Sequence, residues 1–314
     1  MTIGPAPVLV TGASGFVGRH LLAALAAAGR SVEAVPGRGT VSPAPGVRVL
    51  PGRELGPGTR WDDAALADGV VVHLASLAHG RDGGDAALLR RVNVDGTLAL
   101  AEAARRAGAR RFLFVSSIGV HGNASRGAPL REDSPLCPEV PYAESKLAAE
   151  EGLRRCLGGS ATELVIVRPP LVHGPDAPGN PARLLGLVRL GLPLPLGSIR
   201  NRRSFVSVAN LCAALRACAE DPRAAGETFV VADPEVLSTP GLLRELGRRL
   251  GRPARLLPCP VPLLRGAAGL LGRAGDVDRL AADLEVDAGR IADRLDFSPP
   301  RSVAEGLDAW AGIR

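Results

Sequence analysis

The chain has 314 residues, 46% of them hydrophobic, 22% charged and 3% aromatic, enough to bury one large α/β core, or a core with an added lobe, and too apolar for a disordered chain. Its formal charge of +6 comes from scattered arginines with no interleaved aromatics, which argues against nucleic acid and for an anionic small ligand. Five cysteines without C-x-x-C or metal-ligand spacing, no signal-peptide pattern in Met1-Thr2-Ile3-Gly4-Pro5 and no membrane-length apolar stretch point to a cytoplasmic protein with reduced thiols, no metal and no integral membrane segment.

The first apolar run, Val8-Leu9-Val10-Thr11, leads into Gly12-Ala13-Ser14-Gly15-Phe16-Val17-Gly18 and then a helical pattern that stops at Gly29. Strand, glycine-rich turn and helix together form the context of a dinucleotide site. Gly12 is expected to make the turn, Gly15 to admit a pyrophosphate and Gly18 to let helix and strand pack, with the helix N-terminus facing the phosphates. Ser31–Val35 reads as the second strand, and no acid stands at its tip to hold a ribose 2′-hydroxyl. Arg38, three residues on, suits a 2′-phosphate or is a solvated loop residue; the first favours NADP(H) over NAD(H).

Val47–Leu50 reads as a third strand, followed by Glu54, within reach of an adenine. Val70-Val71-Val72-His73-Leu74 is a strand buried on both faces, and Leu74, Ala75 and Ser76 then lie at the carboxyl edge of the sheet, where ligands bind. His73 is either structural or functional. A long helix is expected from about Asp85 to Ala107, with Asn93 and Gly96 turned to the sheet, then a strand Arg111–Val115 that ends in Ser116-Ser117. A helix from Tyr142 to Cys156 and a strand Leu164–Val167 complete the first unit, residues 1–170.

Residues 171–314 read as a smaller mixed lobe over the carboxyl edge of the sheet. Its helices are expected near Ala182–Leu190, Val208–Glu220, Thr239–Leu250 and Pro262–Leu271, and one strand, Thr228–Val231, returns to the sheet. The fold class is thus α/β, a Rossmann-type doubly wound parallel sheet with a C-terminal substrate lobe. The Pro/Leu-rich Leu256–Leu271, interrupted by Pro258, Pro260, Pro262 and Arg265, leaves contact with a membrane surface open.

Pro141-Tyr142-Ala143-Glu144-Ser145-Lys146 holds the only tyrosine and the only lysine of the chain. At i and i+4 on a helix the two share one face. A phenol beside an ammonium has its anion favoured, so the Tyr142 pKa is expected to fall toward neutrality and the pair to move protons.

Thr11-Gly12-x-x-Gly15-x-x-Gly18, Ser117 after the fifth strand, Tyr142-x-x-x-Lys146 and the closing Ser302-Val303-Ala304-Glu305-Gly306-Leu307 together resemble the extended short-chain dehydrogenases, the NAD(P)-dependent nucleotide-sugar epimerases, dehydratases and reductases. The resemblance implies Tyr142 as general acid/base, Lys146 as the residue that lowers its pKa and holds the nicotinamide ribose, and Ser117 as hydrogen-bond donor to the reacting sugar oxygen. It implies a cofactor site of Gly12, Ser14, Gly15, Phe16, Val17, Arg38, Glu54, Leu55, Leu74, Ala75, Ser76, Asn93 and Pro169 beside Tyr142 and Lys146. It further implies a homodimer through the two long helices. Where dehydratases of the group carry an acidic pair, this chain has Ile118-Gly119, so dehydration is not expected. Two V-Y-G segments appear as Val120-His121-Gly122 and Val172-His173-Gly174, which leaves His121 as a substitute sugar contact. Asn180 and Arg203 resemble the family's diphosphate-binding residues, and the stretch around Asn201-Arg202-Arg203-Ser204 is most similar to reductases of UDP-4-keto-6-deoxy-N-acetylhexosamines, with UDP-N-acetylhexosamine 4-epimerases as the alternative and a non-catalytic NADP sensor as a remote one.

Overall fold

The computed structural model describes residues 7–78 and 85–313, so Met1–Pro5 lies outside the described residues. The chain opens with β1 (Val8–Thr11), α1 (Phe16–Ala27), β2 (Val32–Val35), β3 (Val47–Val49), a short α2 (Asp63–Leu66) and β4 (Val70–His73). It continues with α3 (Ala86–Leu89), a π-helical turn at Arg90–Asp95, α4 (Gly96–Arg106), β5 (Arg111–Val115), α5 (Pro141–Leu157) and β6 (Glu163–Arg168). Then come β7 (Leu171–His173), α6 (Asn180–Leu190), β8 (Phe205–Ser207), α7 (Val208–Glu220) and β9 (Thr228–Val230). The last helices are α8 (Thr239–Arg249), α9 (Val261–Gly269), α10 (Ala274–Ala281), α11 (Gly289–Leu295) and α12 (Val303–Ala311).

Seven strands form one parallel sheet in the order β3-β2-β1-β4-β5-β6-β9. The order reverses between β1 and β4, whose carboxyl ends open the crevice where such sheets bind ligands. Every residue of β1, β4 and β5 is buried, because helices cover both faces, and apart from Thr11, His73 and Arg111 at their ends each strand is an apolar run. One face is closed by α1, α7 and α11 through Leu21, Leu25, Leu211, Leu215 and Ile291. The other is closed by α4 and α5 through Leu100, Ala104, Ala149 and Leu153.

The lobe has its own core, in which Leu185, Leu243, Leu246 and Trp310 pack together. The expected return to the sheet is β9, paired with β6 from Ile166↔Thr228 onward, and α7 accompanies it as a layer over the sheet. Two departures from the expected elements matter. The helix expected from Asp85 to Ala107 carries the π-helical turn, where the Thr97 hydroxyl donates to the Asn93 carbonyl at 2.7 Å. The small parallel pair β7–β8, with three residues in each strand, was too short to register as a hydrophobic period.

Candidate active site

Gly12 has φ +68°, and a Cβ there would stand 2.7 Å from the Ala75 nitrogen, so only glycine lets β1 and the end of β4 approach this closely. A Cβ on Gly18 would lie 2.3 Å from the Gly12 carbonyl oxygen, which makes Gly18 the point where α1 sits directly on the turn. Gly15 caps α1 without a side-chain hydrogen bond, and the first turn carries no acid. The helix therefore presents backbone N–H groups and its positive end to whatever fills the crevice. That crevice is a cavity of about 700 Å³ at the carboxyl ends of β1, β2 and β4. Its walls include Gly12, Ser14, Gly15, Arg38, Glu54, Leu55, Leu74, Ala75 and Ser76, and also Arg53 and Trp61, which the sequence reading missed. The Arg53 guanidinium lies 5.8 Å from the Trp61 ring centroid. An anionic dinucleotide fits this donor set: a glycine cradle, an uncapped helix start and two arginines at the far end. Phe16 and Val17 begin α1 just outside the cavity walls, with the Phe16 ring edge-on to His20.

A chain of buried hydrogen bonds ties this loop to α5. Thr97 spends its proton on the Asn93 carbonyl, so it accepts from His73 Nε2 at 2.9 Å, and His73 Nδ1 accepts from the Thr11 hydroxyl at 2.7 Å. His73 is thereby structural, and burial followed by the Lys146 charge pushes its pKa down to about 3. The Asn93 carboxamide accepts from the Leu77 N–H at 2.7 Å and donates to the Leu77 carbonyl and the Ser145 hydroxyl, each at 3.0 Å. Ser145 in turn donates to the Tyr142 carbonyl at 2.7 Å. Asn93, expected on the cofactor, is instead the clamp that holds the 74–77 loop against the first turn of α5.

Tyr142 is the second residue of α5, behind Pro141, which is pre-organised for a helix start. Its hydroxyl shares a hydrogen bond with Ser76, on the wall of the cavity. Lys146, one turn on, is 2% exposed, donates to the Val115 carbonyl at 2.9 Å and lies 4.7 Å from the Phe114 ring centroid and 5.9 Å from that of Tyr142. Burial brings its pKa down to about 7, against the opposing charge of Glu150. Burial also raises the Tyr142 pKa, only partly offset by Ser76. The expected fall of the Tyr142 pKa is thus corrected. Desolvation sets the direction for the phenol, and it weakens the Lys146 ammonium as well. Ser117 accepts from the Gly119 N–H at 3.1 Å, and a Cβ on Gly119 would sit 3.3 Å from Ser117 Oγ and 3.5 Å from Ala143 Cβ. The serine turn therefore abuts the first turn of α5, beside Tyr142.

Other expected contacts are redirected. His121 is 5% exposed. Arg168 donates to its Nε2 at 3.0 Å, so Nδ1 carries the proton given to the Pro135 carbonyl at 3.1 Å. Burial and then the Arg168 charge lower its pKa, so it is a neutral structural group with no atom left for a sugar. Arg168 also forks onto Glu150 at 2.9 and 2.5 Å, a buried pair next to Lys146 on α5 that went unread because its members are 18 residues apart. The Pro169 carbonyl accepts from Ile118 N–H at 2.9 Å, fixing the serine turn to β6 rather than lining the cavity. Arg203, expected on the diphosphate, donates through Nη1 to the carbonyls of Arg279 (2.7 Å) and Ala282 (3.1 Å), which fastens α10 to its turn. Asn180 opens α6 in an exposed position.

Residues 8–232 match the model of the NAD dependent epimerase/dehydratase family. The chain is 36% identical over 312 residues to a UDP-glucose 4-epimerase of Vibrio cholerae, covering 98% of this chain and 95% of the relative. It is 30% identical over 315 residues to a ceramide reductase of Caulobacter vibrioides, covering 98% and 90%. Among solved structures, MoeE5 in complex with UDP-glucuronic acid and NAD superposes with a TM-score of 0.78 at 25% identity, covering 98% of each chain.

Proposed function

The chain belongs to the NAD dependent epimerase/dehydratase family, and we propose that within it this enzyme reduces the C4 ketone of a UDP-linked 4-keto-6-deoxy-N-acetylhexosamine with NADPH. The observation that carries the cofactor choice is the far end of the cavity. Arg38 and Arg53 stand there, while Glu33, the only carboxylate of β2, is turned to an ion pair with Arg48. With two cations against one carboxylate, Glu54, on that wall and no acid at the tip of β2, this end suits a 2′-phosphate, and NADP(H) is the reductant of biosynthesis. A nicotinamide cofactor, NAD(H) or NADP(H), would be held at the α1 N-terminus through Gly12, Ser14 and Gly15 and at its ribose by Lys146. When bound it supplies the hydride.

The protein's own part is the proton. The Tyr142 hydroxyl, a phenol whose pKa burial moves up from its ordinary value, is in the acid form that reduction needs, and Tyr142 donates to the oxygen developing at C4. The Ser117 hydroxyl hydrogen-bonds the same oxygen. Lys146, its ammonium favoured by Glu150, stabilises the tyrosinate left behind. Ile118, buried, and Gly119 offer no acid or base for removing water, which supports reduction over dehydration. Asn180 is the candidate for the diphosphate, and the functional unit is a cytoplasmic homodimer joined through α4 and α5.

A second reading is a UDP-hexose 4-epimerase that retains NAD, favoured by the 36% identity with the Vibrio cholerae relative. The same three side chains serve both. Following the absorbance of NADPH and NADH with a UDP-4-keto-6-deoxy sugar tests the choice. Consumption of NADPH, abolished in Tyr142→Phe, is expected. Protein that is isolated with bound NAD and interconverts UDP-hexoses without added NADPH would sink the reductase.

A further inference from the structure

Helix α9 is apolar on every side except at Arg265, yet none of its residues is buried. Its inner residues, Val261 and Leu264, pack on the lobe core. Its outer stripe runs through Leu263 and Ala267 to Leu270, with Leu271 beside it, and the three leucines are 66%, 90% and 77% exposed. A helix without a polar face is normally covered on all sides. Six of the nine exposed large hydrophobic residues among the described residues fall on this edge of the lobe: Leu190, Leu192, Leu257, Leu263, Leu270 and Leu271. The edge is continuous. The Leu194 N–H donates to the Arg255 carbonyl and the Leu257 N–H to the Leu194 carbonyl, each at 2.8 Å, and the Arg252 side chain donates to the Arg189 carbonyl at 2.9 Å.

The charge around these leucines is predominantly positive: Arg202 is paired with Glu285 and Arg265 with Asp278, while Arg183, Arg189, Arg200, Arg252 and Arg255 make no ion pair among the described residues. Ala177 to Arg203 contains five arginines and no acid, and Leu250 to Gly272 contains three arginines and no acid. The carboxylates of α10 that come near, Asp276 and Asp278, are each already paired with an arginine. We propose that this edge docks on a bilayer bearing anionic headgroups, the leucines entering the headgroup–acyl boundary and the arginines lying against the lipid phosphates. A second copy of the chain is the poorer occupant, because a two-fold contact would set the same arginines against each other. No helix among the described residues is long and apolar enough to cross a membrane, so the attachment is peripheral.

The test is co-sedimentation of the full chain with phosphatidylcholine vesicles and with phosphatidylcholine vesicles containing phosphatidylglycerol. The expected result is binding about tenfold stronger to the anionic vesicles, weakened by salt. It should be lost in Leu263→Asp/Leu270→Asp/Leu271→Asp, which exposes no core and should leave NADPH binding unchanged. Three results would overturn the proposal: no binding to anionic vesicles, equal binding by the triple variant, or a wild-type oligomer that the triple variant dissolves without any vesicle binding in either protein.

Discussion

Replacing Asn93 by alanine removes three hydrogen bonds at once, two part-buried ones to Leu77 and a buried one to Ser145, with lengths of 2.7, 3.0 and 3.0 Å. At about 1 kcal/mol each the variant loses about 3 kcal/mol, and at about 2–4 °C per kcal/mol its melting temperature falls by about 6–12 °C. The loss is local to the loop that carries Leu74, Ala75 and Ser76 along the cavity wall. Ordering that loop then falls to the ligand, so the Kd for NADPH should rise about tenfold, equivalent to about 1.4 kcal/mol. Ser145→Ala is the internal control. It takes one bond from Asn93 and one from the Tyr142 carbonyl but leaves Leu77 clamped, so it should cost stability with little change in NADPH affinity. Differential scanning calorimetry and a fluorescence titration with NADPH measure both. An Asn93→Ala protein with unchanged melting temperature and Kd, or a Ser145→Ala protein equally impaired in NADPH binding, would refute the clamp.

Three further outcomes follow from the same geometry. Because the folded pKa of His73 is about 3 against the ordinary value of 6.5, the unfolded chain protonates first. The stability His73 confers is complete above pH 6.5 and is lost as pH falls toward 3; urea midpoints at pH 7 and pH 4.5 should differ more in the wild type than in His73→Asn. Removing the Glu150 charge with Glu150→Gln takes away what favours the Lys146 ammonium, so the alkaline fall of kcat/KM should move to lower pH, while a merely structural role would lower activity without moving the profile. Arg38→Ala and Arg53→Ala should each raise the KM for NADPH by about tenfold or more, as expected for losing a charge-assisted contact, and leave the KM for NADH nearly unchanged.

Much of the sheet was legible because β1, β4, β5 and β6 are apolar except at their ends (Thr11, His73, Arg111, Glu163 and Arg168), as strands covered on both faces are. Tyr142, Lys146 and the glycines were legible for local reasons, a one-turn spacing and a turn that tolerates no Cβ. The contacts that hold His121, Asn93 and Arg203 were not. Each depends on a partner far along the chain: Arg168 for His121, Leu77 and Ser145 for Asn93, and the carbonyls of Arg279 and Ala282 for Arg203. Sequence spacing cannot supply such pairings. The wrong sign for Tyr142 has the same origin. The neighbouring charge could be read from the i, i+4 spacing, whereas the desolvation that raises the phenol pKa arises only when α5 packs against the loop bearing Ser76. The arginine bias hid a further feature, since Arg53 looked like any other arginine until the fold set it over Trp61 at the end of the cavity.

The most direct test of the proposed chemistry is to follow the hydride. With NADPH deuterated at the transferable position and a UDP-4-keto-6-deoxy-N-acetylhexosamine, NMR of the product should show deuterium at C4 in a single configuration, and Tyr142→Phe should give none. Product without deuterium at C4, or interconversion of UDP-hexoses with the label left on NADPH, would contradict the reductase.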